Sequence, residues 1–135
     1  MTEHQKFLRA AGGDVTGPDA MTALVTAGAA AFEAIRVSAE ASTGPGSELF
    51  AAWMMAAAEA ADGRDALAGA LSARPGQLAC ATALGRAEIA SLAADLATAL
   101  REAAGQAAEA DDAMAFRRAA ECAGHVRDLM AGDAP

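Results

Sequence analysis

The chain has no tyrosine, one tryptophan, four valines and two isoleucines in 135 residues. Strands are built from β-branched and aromatic residues, so little here could form a sheet. Two cysteines, Cys80 and Cys122, are too few for a disulfide framework. One lysine and nine arginines stand against 18 acidic residues, for a formal net charge of −8. That balance, with no run of basic residues, argues against a nucleic-acid backbone or an anionic membrane as partner. No stretch of about 18 uncharged residues is rich enough in Leu or Ile for a membrane span. The nearest approach, Ala20 to Ala31, is short and holds Thr22, Thr26 and Gly28. The opening MTEHQKFLRA has no apolar region of a secretory signal. These absences lead us to expect a cytoplasmic protein with reduced thiols.

Alanine is what the chain has in excess. It supplies 43 residues, whereas Leu, Ile, Val, Met, Phe and Trp together supply 28. Alanine is the best helix former, and Leu, Met, Arg, Glu and Gln follow closely. A core of Ala and Leu buries enough area only where backbones approach closely, which helices with small contact residues achieve. The expected fold class is therefore all-α, in a single domain. The Ala- and Gly-rich style also fits a high-GC bacterial genome.

Breaks in the pattern divide the chain. Residues 1–17 read as a flexible arm, with a short helix to about Arg9 and a Gly-rich stretch after it. Pro18 and Asp19 suit the first turn of a helix, which then runs to about Ala41. Its apolar line is Met21, Leu24, Val25, Gly28, Phe32 and Ile35; Thr22, Thr26, Glu33, Arg36 and Glu40 lie opposite. Gly28 on the apolar face predicts a close helix–helix approach. Ser42-Thr43-Gly44-Pro45-Gly46 is a turn and lacks the phosphate-loop spacing. Ser47 caps a second helix with the line Phe50, Trp53, Met54, Ala57, Ala60, Ala61, Leu67 and Leu71. Glu48, Glu59 and Asp62 mark its outer face.

Asp62-Gly63-Arg64-Asp65 could end that helix, but continuity through Gly63 matches its length to the others. Arg74-Pro75-Gly76 is the next break. A third helix is expected from about Gln77 to Ala104, buried along Leu78, Gly85, Ile89, Leu92, Leu96 and Ala99. Gly105 marks a weaker break; without it a single helix would run from Gln77 to Met130 and force dimerisation. The fourth helix buries Phe116, Ala119, Ala123, Val126 and Met130, and wets Arg118, Glu121, His125 and Asp128. Helices of similar length joined by short turns predict an up-down-up-down four-helix bundle over 18–131, with 132–135 as a frayed tail.

Chemistry is sparse. Cys122 and His125 stand three apart on one turn beside Glu121, a spacing that soft metals accept. His125 shares a stripe with Arg118 and Asp128, so three ligands do not converge, and no metal is expected. Cys80 near a helix start has no histidine placed to serve it; His4 lies in the arm and His125 near the far end. A buried, inert thiol is the plainer reading of each cysteine. The carboxylates are spread along solvated faces. No catalytic residue and no cofactor is expected.

The heaviest stretch is Ser47 to Ala61, SELFAAWMMAAAEAA, which holds the only tryptophan. Phe32, Leu49, Phe50, Trp53, Met54, Met55 and Phe116 could line one apolar site, since Met is adaptable and Trp is large. The same residues would equally make an ordinary core. The arc around Leu49 and Met55 is wider than one bundle seam requires, and leftover apolar surface becomes an interface. The expectation is a non-catalytic interaction or assembly protein using this face of the second helix, as a homodimer or with a protein partner. The alternative is a binding module or small enzyme enclosing an apolar small molecule.

Overall fold

The computed structural model describes residues 20–42, 50–68 and 84–131, with the backbone alone for 20–23. The N-terminal arm, Leu49, Leu71, Leu78, Cys80, the breaks at 43–46 and 73–76, and the C-terminal tail lie outside the described residues. Those described form four helices: α1 Ala20–Ala41, α2 Phe50–Ala68, α3 Arg86–Gln106 and α4 Ala110–Ala131. No strand occurs among them. The protein is an all-α four-helix bundle.

Small residues set how the helices meet. The side chains of Leu24, Val25, Phe32 and Ile35 on α1 are fully enclosed, at the three- and four-residue spacing of one helix face. A Cβ on Gly28 would lie 2.8 Å from Leu67 Cδ1 of α2 and 3.5 Å from Leu96 Cδ1 of α3. A Cβ on Gly63 would lie 2.4 Å from the nearest carbon of the Phe32 ring. The ring thus rests on bare α2 backbone. The helix continues through Gly63, because the glycine marks a close contact instead of a turn.

Packing runs α1 on α2, α2 on α4 and α4 on α3, with a lighter α1–α3 contact closing the ring. The registers give directions. Gly28 meets Leu67 and Phe32 meets Gly63, so α1 and α2 are antiparallel. Gly28 meets Leu96, while Ser38 Oγ accepts the Leu84 N–H at 3.0 Å, so α3 is also antiparallel to α1. Glu59 pairs with His125, which with the hairpin at 107–109 turns α4 back against α2 and α3.

Neighbours therefore alternate in direction around the bundle, as expected. Along the chain, however, the order is up-down-down-up: α3 runs parallel to α2 and diagonal to it. Ala68 and Leu84 consequently lie toward opposite ends of the bundle.

The third helix starts later than its pattern implied. Leu84 and Gly85 are not helical, and Gly85, expected on the buried line, is exposed in extended backbone at φ −79°, ψ 169°. Its N–H donates to Glu88 Oε1 at 3.1 Å, and its carbonyl accepts the Ile89 N–H at 2.9 Å. That is a helix start, satisfying donors that would otherwise be orphaned. α3 then passes through Gly105 and ends at Gln106, so α3 and α4 are separate helices. Ile89, Leu96 and Ala99 are buried as read, and so is the whole predicted line of α4.

Candidate functional site

The apolar wall of the second helix divides in two. Its packed face is Trp53, Ala56, Ala57, Ala60, Gly63 and Leu67, a line at three- and four-residue steps. Trp53 is 8% exposed, and Phe32 and Phe116 are fully enclosed within the same core cluster. Phe50, Met54 and Met55 face outward at 46%, 50% and 56% exposure. Leu49 lies outside the described residues.

The six described residues of the seven expected to line one site thus belong to two surfaces, one inside the bundle and one outside. Phe50 and Met54 are not on the buried line. The small residues of α2 set the closest approach to α1 and α4, and the seam is centred on them. Phe50, Met54 and Met55 fall to its flank.

Ala51 and Ala58 are exposed between these outward residues. From Phe50 to Ala58 the helix carries no charge and is apolar all the way round, a pattern that ordinarily marks a covered helix. Met114 on α4, also strongly exposed, borders an open groove of about 520 Å³ with Ala66, Ala115, Arg117, Arg118 and Glu121. Met114 carries no signal in the sequence, where it reads as one more apolar residue at the start of a helix.

The titratable groups are structural in their settings. Glu33 of α1 receives Arg36 Nε at 3.0 Å and Arg64 Nη1 of α2 at 2.5 Å, while Arg36 also reaches Glu40. The Arg36 hydrogen bond, helped by Arg64 and opposed by burial, holds the Glu33 carboxyl down at about 2. This fork ties α1 to α2.

Across the α2–α4 seam, His125 Nδ1 lies 3.0 Å from Glu59 Oε2. Cys122 sits behind them, buried. Burial, then the Glu59 and Asp62 carboxylates, push its thiol up to about 11. A thiol held protonated is a poor nucleophile and a poor metal ligand. No group of three His, Cys, Asp or Glu able to hold a metal occurs among the described residues. Among them, too, no helix is long and apolar enough to cross a membrane.

No protein-family profile matches the chain, and no match was found among curated proteins or solved structures.

Proposed function

We propose that the protein is a non-catalytic interaction protein that binds a protein partner through the outward N-terminal half of α2. The observation that carries this reading is the charge-free exposed strip of Phe50, Ala51, Met54, Met55 and Ala58. Full burial of a Phe or Met side chain is worth roughly 1.5–3 kcal/mol, so three half-exposed ones leave about 3 kcal/mol for a partner to recover. Contiguous apolar surface on one helix is the usual mark of an interface. Phe32, by contrast, already has its ring against Gly63, which favours the interaction reading over a ligand enclosed in the bundle.

Self-association needs no second protein and is the first form to measure. Light scattering over a wide concentration range is expected to show a weak dimer in the wild type. The double variant Met54→Glu, Met55→Glu is expected to stay monomeric at every concentration. A variant that dimerises as the wild type does would remove α2 from the interface.

A further inference from the structure

We infer that the partner best suited to the outward face of α2 is an amphipathic helix whose apolar side is flanked by basic residues. The inference rests on α2 being a docking face, and adds the chemistry of what docks there.

The outward stripe changes character along the helix. Its first turns present Phe50, Ala51, Met54, Met55 and Ala58. Asp62 follows Ala58 by four residues and Met55 by seven, and Asp65 follows Ala58 by seven, so both continue the same stripe. Both are exposed. Arg64, the only basic residue of α2, bridges Glu33 of α1 and also pairs with Asp65 at 3.4 Å, so Asp62 is the part of the border that it does not reach. The face is thus an apolar patch with an acidic border, on a chain of net charge −8.

A second copy can cover the apolar strip but complements that border poorly, which keeps self-association weak. It brings its own Asp62, Asp65 and its own −8 to the contact. Paired in parallel, the two acidic ends would lie together; in either orientation, two strongly acidic bodies must approach. A basic helix avoids both penalties. Its apolar side can pack on Met54 and Met55, whose unbranched side chains adapt to many shapes. Its Lys or Arg stems can cover Ala51 and Ala58 while their charged ends reach Asp62 and Asp65. Helix-on-helix docking of this kind is read through anchors at i, i+3, i+4 and i+7.

The test uses the full chain and two labelled synthetic amphipathic peptides. They share length and an apolar Leu/Ala side; one has Lys and Arg on its flanks, the other Glu. Fluorescence anisotropy is expected to show the basic peptide binding at least about tenfold more tightly at low salt, with the gap shrinking at about 500 mM salt. Asp62→Asn with Asp65→Asn should narrow the same gap. Met54→Glu with Met55→Glu should abolish binding while leaving the circular dichroism unchanged, even though it adds negative charge.

Equal affinity for the two peptides would overturn the basic preference and leave the docking face standing. Basic-peptide binding that survives Met54→Glu, Met55→Glu would show mere attraction to an acidic protein and overturn the inference. A wild type that binds neither peptide and never self-associates would remove the docking face as well.

Discussion

Trp53 and Met54 are neighbours on one helix, yet the first is 8% exposed and the second 50%. The inward face of α2 is made chiefly of small residues: Ala56, Ala57, Ala60 and Gly63, with Trp53 and Leu67 toward the ends. The outward face of its first turns is bulkier, with Phe50, Met54 and Met55. Hydrophobicity by itself would rank the two faces the other way. Burial here follows closeness of approach. Small side chains let α1 and α4 come near the α2 backbone, and nearness covers area along the whole seam. Phe50, Met54 and Met55 lie off that line of close approach and stay outside, whereas Trp53 lies on it and is covered.

The comparison breaks first where a small residue is enlarged or its partner removed. Phe32→Ala would leave a void over Gly63 and is expected to cost about 3–5 kcal/mol. Against a usual total of about 5–15 kcal/mol, that threatens the fold, and urea denaturation would show it. Gly63→Ala attacks the same contact from the other side. Its Cβ would fall 2.4 Å from the Phe32 ring, so overpacking of about 1–3 kcal/mol is expected despite alanine's better helix propensity. Combining Phe32→Leu with Gly63→Ala should recover part of the loss; additive losses would mean that the two residues do not share one contact.

Trp53→Ala comes next. Trp53 belongs to the core, so its truncation should act on folding more than on association, with about 3 kcal/mol lost. The thermal midpoint and the dissociation constant of the proposed dimer, measured on the same variant, separate the two effects. Gly28→Leu follows, at about 1–3 kcal/mol. The atom nearest its new Cβ is the mobile end of Leu67, at 2.8 Å, so Gly28→Ala should be much milder. A neutral Gly28→Leu would place Gly28 away from the α1–α2 contact.

The bundle was legible where polar and apolar residues contrast. Leu24, Val25, Phe32 and Ile35 on α1, and Phe116, Ala119, Ala123, Val126 and Met130 on α4, alternate with charged stripes and are buried as read. On α2 that contrast disappears, because nine residues from Phe50 to Ala58 carry no charge. Periodicity then cannot distinguish the Trp53 line from the Phe50–Met54 line, and both pass through Ala57. The start of α3 was hidden for another reason. Ser38, far away in sequence, takes the Leu84 N–H, a tertiary bond that no local pattern announces. The direction of α3 depends on which alanine-rich faces meet, and those faces look alike in sequence. The exposed strip was half legible: Met55 stood out as surplus, whereas Phe50 and Met54 were assigned to the core.

The Glu33 fork joins α1 to α2 by charge, where the glycine contacts join them by shape. The Glu33 carboxyl titrates at about 2 instead of its ordinary 4.5, so folding favours the ionised form. Its stabilisation is fully present above the unfolded value and is lost as pH falls from about 5 toward 2. Its side chain is 24% exposed, and solvent screening reduces the contribution to about 1 kcal/mol. Stability measured by urea across that window should fall more steeply for the wild type than for Glu33→Gln. Parallel curves would mean that the fork adds nothing to the seam.

The smallest expected effect sharpens the comparison most. Met54→Glu and Met55→Glu each replace an apolar side chain that is already half or more in water. Little burial is lost, and glutamate is as good a helix former as methionine. Neither side chain contributes to the packed line of α2. A surface substitution of this kind should change folding stability by about 0.5 kcal/mol or less. Trp53→Glu, one residue away, would drive a carboxylate into the core and should unfold the domain unless the group stays protonated. The two outcomes, read as urea midpoints, measure the difference between the faces of one helix. If Met54→Glu instead costs several kcal/mol with the protein held monomeric by dilution, the outward face is covered within the chain. The strip would then belong to the fold, with nothing left for a partner to bury.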